Sequence, residues 1–293
     1  MVGITKRKRG NNEFYYLYHD FKKGERRQRD KYLGATIPEN VEQIKQEFER
    51  EIYLEEWIPK LEAIQSNYLK KLETLPPSAF EKETLQFSTT FTYNTQRIEG
   101  STLTLKQTFM LLEKNTVPRN RPMHDVKEAE SHQRIFMDII SKKEDISLKT
   151  ILTWHENLLK ETKPDFAGKI RDYPVWIGIS KFIPPESETL QTLLAEFFTW
   201  YESNKNILNP VELAALVHLK FVTIHPFGDG NGRISRLMMN SVLNRLNYPM
   251  FIVDYKDRTT YYRALEKAQV DKNNIIFLHW FMKRYLRAQS RYW

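Results

Sequence analysis

Residues 211–236 read Val211-Glu-Leu-Ala-Ala-Leu-Val-His-Leu-Lys-Phe-Val-Thr-Ile-His225-Pro-Phe-Gly-Asp-Gly-Asn-Gly-Arg-Ile-Ser-Arg236. The first fourteen are almost continuously apolar and form a buried helix that leads straight into His225. Three glycines follow at alternate positions, Gly228, Gly230 and Gly232, and then Arg233 and Arg236 stand three apart at the start of another helix, so they share a face. Glycines ahead of a helix N-terminus let backbone N–H groups close around an anion, and the helix dipole favours negative charge there. The two arginines add charge-assisted bonds to phosphate. Asp229 offers a hard oxygen ligand for Mg²⁺, an ion that takes few carboxylates and completes its shell with substrate phosphates. His225, four residues earlier, has the chemistry of a general base near neutral pH.

Rival readings of this loop fail on particular residues. A Walker P-loop has Lys-Ser/Thr after its last glycine, where Arg233-Ile234 stands here. A dinucleotide fingerprint needs a third glycine in place of Arg233 and a strand before the loop. A zinc site needs more ligands than His225 and Asp229. The chain has no cysteine, which excludes disulfides and thiolate metal sites and suits a reducing compartment.

Outward from the loop the pattern is mostly helical from residue 80 onward, with helices expected at about 186–204, 210–223, 231–246 and 258–287. The exception is 168–185, where alternating apolar positions ending in Pro184-Pro185 read as a short β-hairpin between helices. Residues 41–72 carry apolar side chains at helical spacing after a start at Pro38-Glu-Asn40; Pro59 kinks or divides this segment and Pro76-Pro77 ends it. Residues 13–21 are aromatic-rich and read as a strand, Lys22–Glu25 as a turn, and Arg26 to Leu33 as a return strand.

With 293 residues, 41% of them apolar, the chain has room for one large or two modest domains. Its apolar runs are too short to span a bilayer and its basic start lacks the apolar stretch of a secretion signal, so a cytoplasmic protein with no membrane partner is expected. The net charge of +8 is concentrated at one end: residues 1–37 hold ten Lys/Arg against four acids. Attraction to nucleic acid or to an acidic partner is therefore expected from that end.

His225 to Arg236 resembles the signature of the Fic (filamentation induced by cAMP) family, His-x-Phe-x-Asp/Glu-Gly-Asn-Gly-Arg-x-x-Arg, at every fixed position. The resemblance covers roughly residues 80–293. It implies a mainly α fold, a Fic-type helical bundle with a β-hairpin flap, here preceded by a small basic β-module. The implied organisation is a basic β-hairpin module at 1–40, a helical connector at 41–79 and a Fic catalytic domain at 80–293. The implied activity is that of a protein adenylyltransferase, a nucleotidyltransferase moving AMP from ATP to a Ser, Thr or Tyr hydroxyl of a target protein, with self-modification expected.

Carried over residue by residue, the resemblance makes His225 the catalytic base and Asp229 the ligand of Mg²⁺ or Mn²⁺. The backbone of Gly230, Asn231 and Gly232 becomes the anion hole, Arg233 meets the phosphates and Arg236 the γ-phosphate, and Phe227 faces the core. The kinase-like Doc branch of the family has Lys where Gly232 stands, so the glycine favours nucleotidyl transfer. Tyr261, Tyr262 and Gln269 align with positions lining an adenine pocket, although the family often has Asn where Gln269 stands. Val175, Trp176, Ile177, Gly178 and Ile179 fall in the target-docking flap, after a Gly168-x-x-Arg171 motif. Thr95-Gln-Arg-Ile-Glu99-Gly100 is similar to the family's inhibitory motif, in which Glu99 would pair with Arg236 and occupy the γ-phosphate space. His155 is read as a satisfied core histidine. Two other functions stay open: removal of AMP from a modified target, and a nucleic-acid-binding regulator that contacts phosphates through residues 1–37 and senses ATP through the Fic core. A homodimer is also left open.

Overall fold

The computed structural model describes residues 2–10, 12–20 and 28–293. They divide into two compact units, Met1–Pro59 and Lys60–Trp293. The expected turn at Lys22–Glu25 lies outside the described residues.

In the first unit three strands form an antiparallel sheet in chain order: β1 (Val2–Arg9), β2 (Asn12–Asp20) and β3 (Gln28–Gly34). β1 was not anticipated. Its run Lys6-Arg7-Lys8-Arg9 hides the alternation that marks a strand, yet it pairs in unbroken register from Val2 opposite His19 to Arg9 opposite Asn12. One residue of β2, Leu17, is fully buried, and with Val2, Phe48 and Ile52 it forms a small apolar core. Phe48 and Ile52 belong to α1 (Val41–Thr74), a helix that runs unbroken in secondary structure through Pro59, where the two units divide.

In the second unit Pro77 opens α2 (Pro77–Ile98), its missing N–H falling where a helix needs none. Then come α3 (Leu105–Lys114), α4 (Met123–Lys142), α5 (Leu148–Leu159), α6 (Leu190–Asn204), α7 (Pro210–Ile224), α8 (Asn231–Arg245), α9 (Arg258–Val270) and α10 (Asn274–Ala288). The chain is thus mainly α, with one small sheet among the described residues. α7 is buried on nearly all sides, as its apolar sequence requires, and packs against α6, α8 and α10; α8 packs in turn on α2, α4 and α5. Among the described residues no helix is long and apolar enough to cross a membrane.

Two expected elements differ. The segment 258–287 is two helices, because Lys272 takes a left-handed conformation (φ 50°) and the Asn273 side chain caps α10 by accepting from the Ile275 N–H. The segment 168–185 holds no paired strands: it is two irregular arms about a turn at Gly178 (φ 46°), closed by the Ser180 N–H donating to Ile177 O at 2.8 Å. Pro174, Pro184 and Pro185 have no N–H to give a ladder. Arg171 takes the carbonyls of Tyr173 and Pro185, and the Lys181 N–H donates to Glu266 on α9 at 3.0 Å.

Candidate active site

The loop 225–230 joins the C-terminus of α7 to the N-terminus of α8 and is fastened on every side. His225 ends α7 in a left-handed conformation (φ 52°, ψ 55°), a strained setting for a residue other than glycine. Its Nδ1 lies 3.2 Å from Val222 O. A carbonyl only accepts, so Nδ1 carries the proton and Nε2 is left with its lone pair. Burial pushes the imidazole below its ordinary range, the Val222 carbonyl opposes this and Arg171 adds to it.

The rest of the loop is held by side chains from other elements. Phe227 is fully buried and stacks on His155 of α5 with centroids 3.7 Å apart. His155 accepts from the Gly168 N–H at Nδ1 (3.0 Å), so its Nε2 donates to Asp229 O (2.9 Å); burial holds it neutral, with a pKa lowered to about 4. It is the satisfied histidine expected, and it locks the loop to the base of the flap. Asn231 clasps Phe227 twice, accepting from its N–H at 3.0 Å and donating to its carbonyl at 2.8 Å. Arg171 donates from Nε to His225 O at 2.9 Å and from its other nitrogens to Tyr173 O and Pro185 O, tying both flap arms to the loop.

α8 is preceded by Gly230 (φ 83°) with no side-chain cap. The Gly230 N–H is taken by Asp229 Oδ1, and among the described residues no side chain accepts from the N–H groups of Asn231 and Gly232, which suit an anion. Both signature arginines are buried beneath this end. Arg233 pairs with Glu128 of α4 and, at 3.1 Å, with Asp229. Arg236 Nη2 lies 2.5 Å from Glu99 Oε1 and 3.3 Å from Thr95 O, while Nη1 donates to Tyr261 Oη at 3.2 Å. Glu99 caps the end of α2, and Gly100 (φ 100°) turns the chain away behind it.

Asp229 has a crowded carboxylate. Oδ1 accepts from the Gly230 N–H at 2.6 Å and from Arg233, and Oδ2 lies 2.5 Å from Lys163 Nζ. Burial works against its ionisation, but Arg233, Lys163 and the Gly230 N–H win and hold its pKa at about 2. Among the described residues no three His, Cys, Asp or Glu gather to hold a metal alone. A single ionised carboxylate beside an anion-binding helix end fits an ion that arrives with phosphate oxygens in its shell, as Mg²⁺ and Mn²⁺ do.

The residues aligned with an adenine pocket are placed differently from one another. Tyr261 is buried (1% exposed), so it offers no ring face to a base; its hydroxyl shares a hydrogen bond with His218 Nε2 at 2.9 Å and accepts from Arg236. Tyr262 is exposed and donates to Ile98 O at 3.0 Å, next to Glu99. Gln269 donates to Thr223 Oγ1 at 3.1 Å. In the flap, Trp176 and Ile179 are exposed, at 76% and 104%. Sequence reasoning missed Glu128 and Lys163. A carboxylate at 128 on the apolar face of α4, between Val126 and Ala129, was a usable signal; Lys163 had none.

Together these features define a helical domain that presents a neutral histidine and a bare helix end at one glycine loop. Residues 145–243 match the model of the Fic/DOC family, and the chain carries a domain of that family. It is 35% identical over 181 residues to the protein adenylyltransferase Fic of Nematostella vectensis, covering 60% of this chain and 42% of that one. It is 39% identical over 186 residues to the protein of the same name from Drosophila melanogaster, covering 60% and 36%. The chain thus spans less than half the length of these relatives. Among solved structures, a Fic domain containing signaling protein from Bacteroides thetaiotaomicron superposes with a TM-score of 0.72 at 27% identity, over 80% of this chain and 95% of that one. A fragment of Fic-1 from C. elegans gives 0.70 at 26% identity, over 87% and 77%.

Proposed function

We propose that this chain is a protein adenylyltransferase restrained by its own Glu99. The observation that carries the reading is the pairing of a histidine whose Nε2 is free with an uncapped helix N-terminus across one loop. The target's hydroxyl oxygen attacks the α-phosphorus of ATP while His225 Nε2 takes the hydroxyl proton. A new oxygen–phosphorus bond forms, the bond from the α-phosphorus to the bridging oxygen breaks, and pyrophosphate leaves with its electron pair. The N–H groups of Asn231 and Gly232 receive the phosphate charge, the expected third donor, Gly230, being held by Asp229 Oδ1, and Arg233 and Arg236 add to the field. Mg²⁺ or Mn²⁺, held by Asp229, would neutralise charge on the phosphates when bound.

Glu99 opposes all this. Its carboxylate engages Arg236 and crowds Gly232, so the triphosphate meets a like charge where its end should lie. The exposed Trp176 and Ile179 supply an apolar surface for the target segment. The names of the curated relatives support the same reading. Nucleic acid has less support: Lys6 pairs with Glu13, Arg7 with Asp30, Arg29 with Glu55 and Lys31 with Glu51, so much of the basic end is neutralised internally. Incubation with labelled ATP and Mg²⁺, followed by peptide mapping of chain and target by mass spectrometry, tests the proposal. Phosphate rather than AMP on the modified peptides, or no label with Glu99 replaced by Gly, refutes it.

A further inference from the structure

Lys163 pairs with Asp229, the carboxylate read as the metal ligand. It follows α5 in a tight turn in which its own N–H donates to Leu159 O at 2.7 Å, so its backbone is fixed while its side chain stays 38% exposed. Nζ lies 2.5 Å from Asp229 Oδ2 and 3.7 Å from Glu128 Oε1. The remaining Asp229 oxygen is taken by the Gly230 N–H and Arg233, and Glu128 is taken by Arg233 and by the Thr162 hydroxyl at 2.9 Å. Lys163 is therefore the most exposed member of a charge cluster in which Arg233 and Glu128 are buried and the Asp229 side chain is 30% exposed. A divalent ion that binds Oδ2 must compete with this ammonium.

We infer that Lys163 is the resident cation of the metal position, excluding free divalent ions from Asp229 and admitting only a metal that arrives with a nucleotide. The inference rests on the reading of Asp229 as the metal ligand. The physical argument is one of charge. A bare divalent ion must compete with an ammonium that already neutralises Oδ2 and would be repelled by it at close range. A metal carried by a triphosphate brings negative charge with it, and that charge gives the displaced ammonium a new partner. Lys163 thus sets which form of the metal this site accepts.

Manganese titrations of the full chain, read as the loss of the free Mn²⁺ EPR signal, test this without reference to activity. Without nucleotide, Lys163→Met should bind Mn²⁺ about tenfold or more tightly than wild type, the conservative share of a like-charge repulsion a few ångströms from the ion. Lys163→Arg keeps the charge and should stay as weak as wild type. The gain should vanish in Lys163→Met/Asp229→Asn. Equal Mn²⁺ affinity in Lys163→Met and wild type overturns the inference, as does a gain that survives loss of Asp229. A second arm adds a non-hydrolysable ATP analogue: if Asp229→Asn leaves Mn²⁺ binding with the analogue unchanged, it is the assignment of Asp229 that fails. If that substitution weakens binding while Lys163→Met changes nothing, the assignment stands and the role of Lys163 falls.

Discussion

Glu99 Oε1 and Arg236 Nη2 meet 2.5 Å apart at the first turn of α8, close enough to Gly232 that a methyl group there would overlap the carboxylate. The C-cap acid of one helix thus sits beside the N-terminal turn of another, next to where an anionic ligand would bind. The contact is braced from both sides, Tyr261 bonding Arg236 and Tyr262 bonding the Ile98 carbonyl. Replacing Glu99 with Gly should raise self-labelling by labelled ATP on the order of 10²-fold, the scale of a misplaced reacting group. Nucleotide affinity, read by calorimetry, should change much less. Adding Arg236→Ala should remove most of the gain if, as proposed, the freed guanidinium orients the triphosphate. Equal labelling by wild type and Glu99→Gly at matched folding would sink the inhibitory role.

The same contact makes a prediction about stability. Gly232 has no left-handed φ, so space rather than backbone freedom demands glycine there. Gly232→Ala should lower the Tm of the wild type but cost less in the Glu99→Gly background, with a coupling of about 1–2 kcal/mol between the two sites. Strict additivity in thermal unfolding would mean that the carboxylate does not press on Gly232.

What the sequence made legible was what local spacing encodes. From His225 to Arg236 the chemistry lies in one short run, so glycines, carboxylate and arginines declare themselves together. The partners of that run did not: Glu128 meets Arg233 across 105 positions and Lys163 meets Asp229 across 66, and a lysine in a polar turn looks like any other. β1 was hidden by its basic run, and the break at Lys272 lacked a proline or glycine to announce it. The flap read as a hairpin because alternation marks extended backbone, not pairing. Its ladder is missing because prolines and Arg171 use up the groups that a ladder needs.

His225 supplies a pH signature. The base must be neutral, and burial lowers its pKa below the ordinary imidazole value of about 6.5. Lowering favours the unprotonated form, so activity should persist below that value and fall only as pH drops through the depressed pKa. In the Glu99→Gly background the acid limb of kcat/KM should therefore have its midpoint below about 6.5. His225→Ala should lose roughly 10²-fold or more while still binding ATP. An acid limb above the ordinary imidazole range would remove His225 as the base.

Arg171 is the residue on which the flap and the catalytic loop jointly depend. It is 4% exposed, and its three nitrogens donate to the carbonyls of His225, Tyr173 and Pro185, one on the loop and one at the base of each flap arm. Removing it leaves these acceptors without their donor and unties the arms, which share no strand pairing to hold them. Arg171→Ala should cost about 3 kcal/mol or more of stability, the range for losing a buried hydrogen-bonded group. Arg171→Lys should fall between, because one ammonium cannot reproduce a planar fork aimed at three oxygens. Global stability alone would not distinguish this role from that of any core residue, so the decisive measurement is local. Amide hydrogen exchange across 175–183 should quicken in Arg171→Lys at a temperature where α7 and α8 stay protected. On the proposed docking role of the flap, KM for the protein target should rise more than KM for ATP, since the N-terminal end of α8 is intact. A variant that loses stability evenly, with flap exchange and the two KM values moving together, would reduce Arg171 to a packing residue.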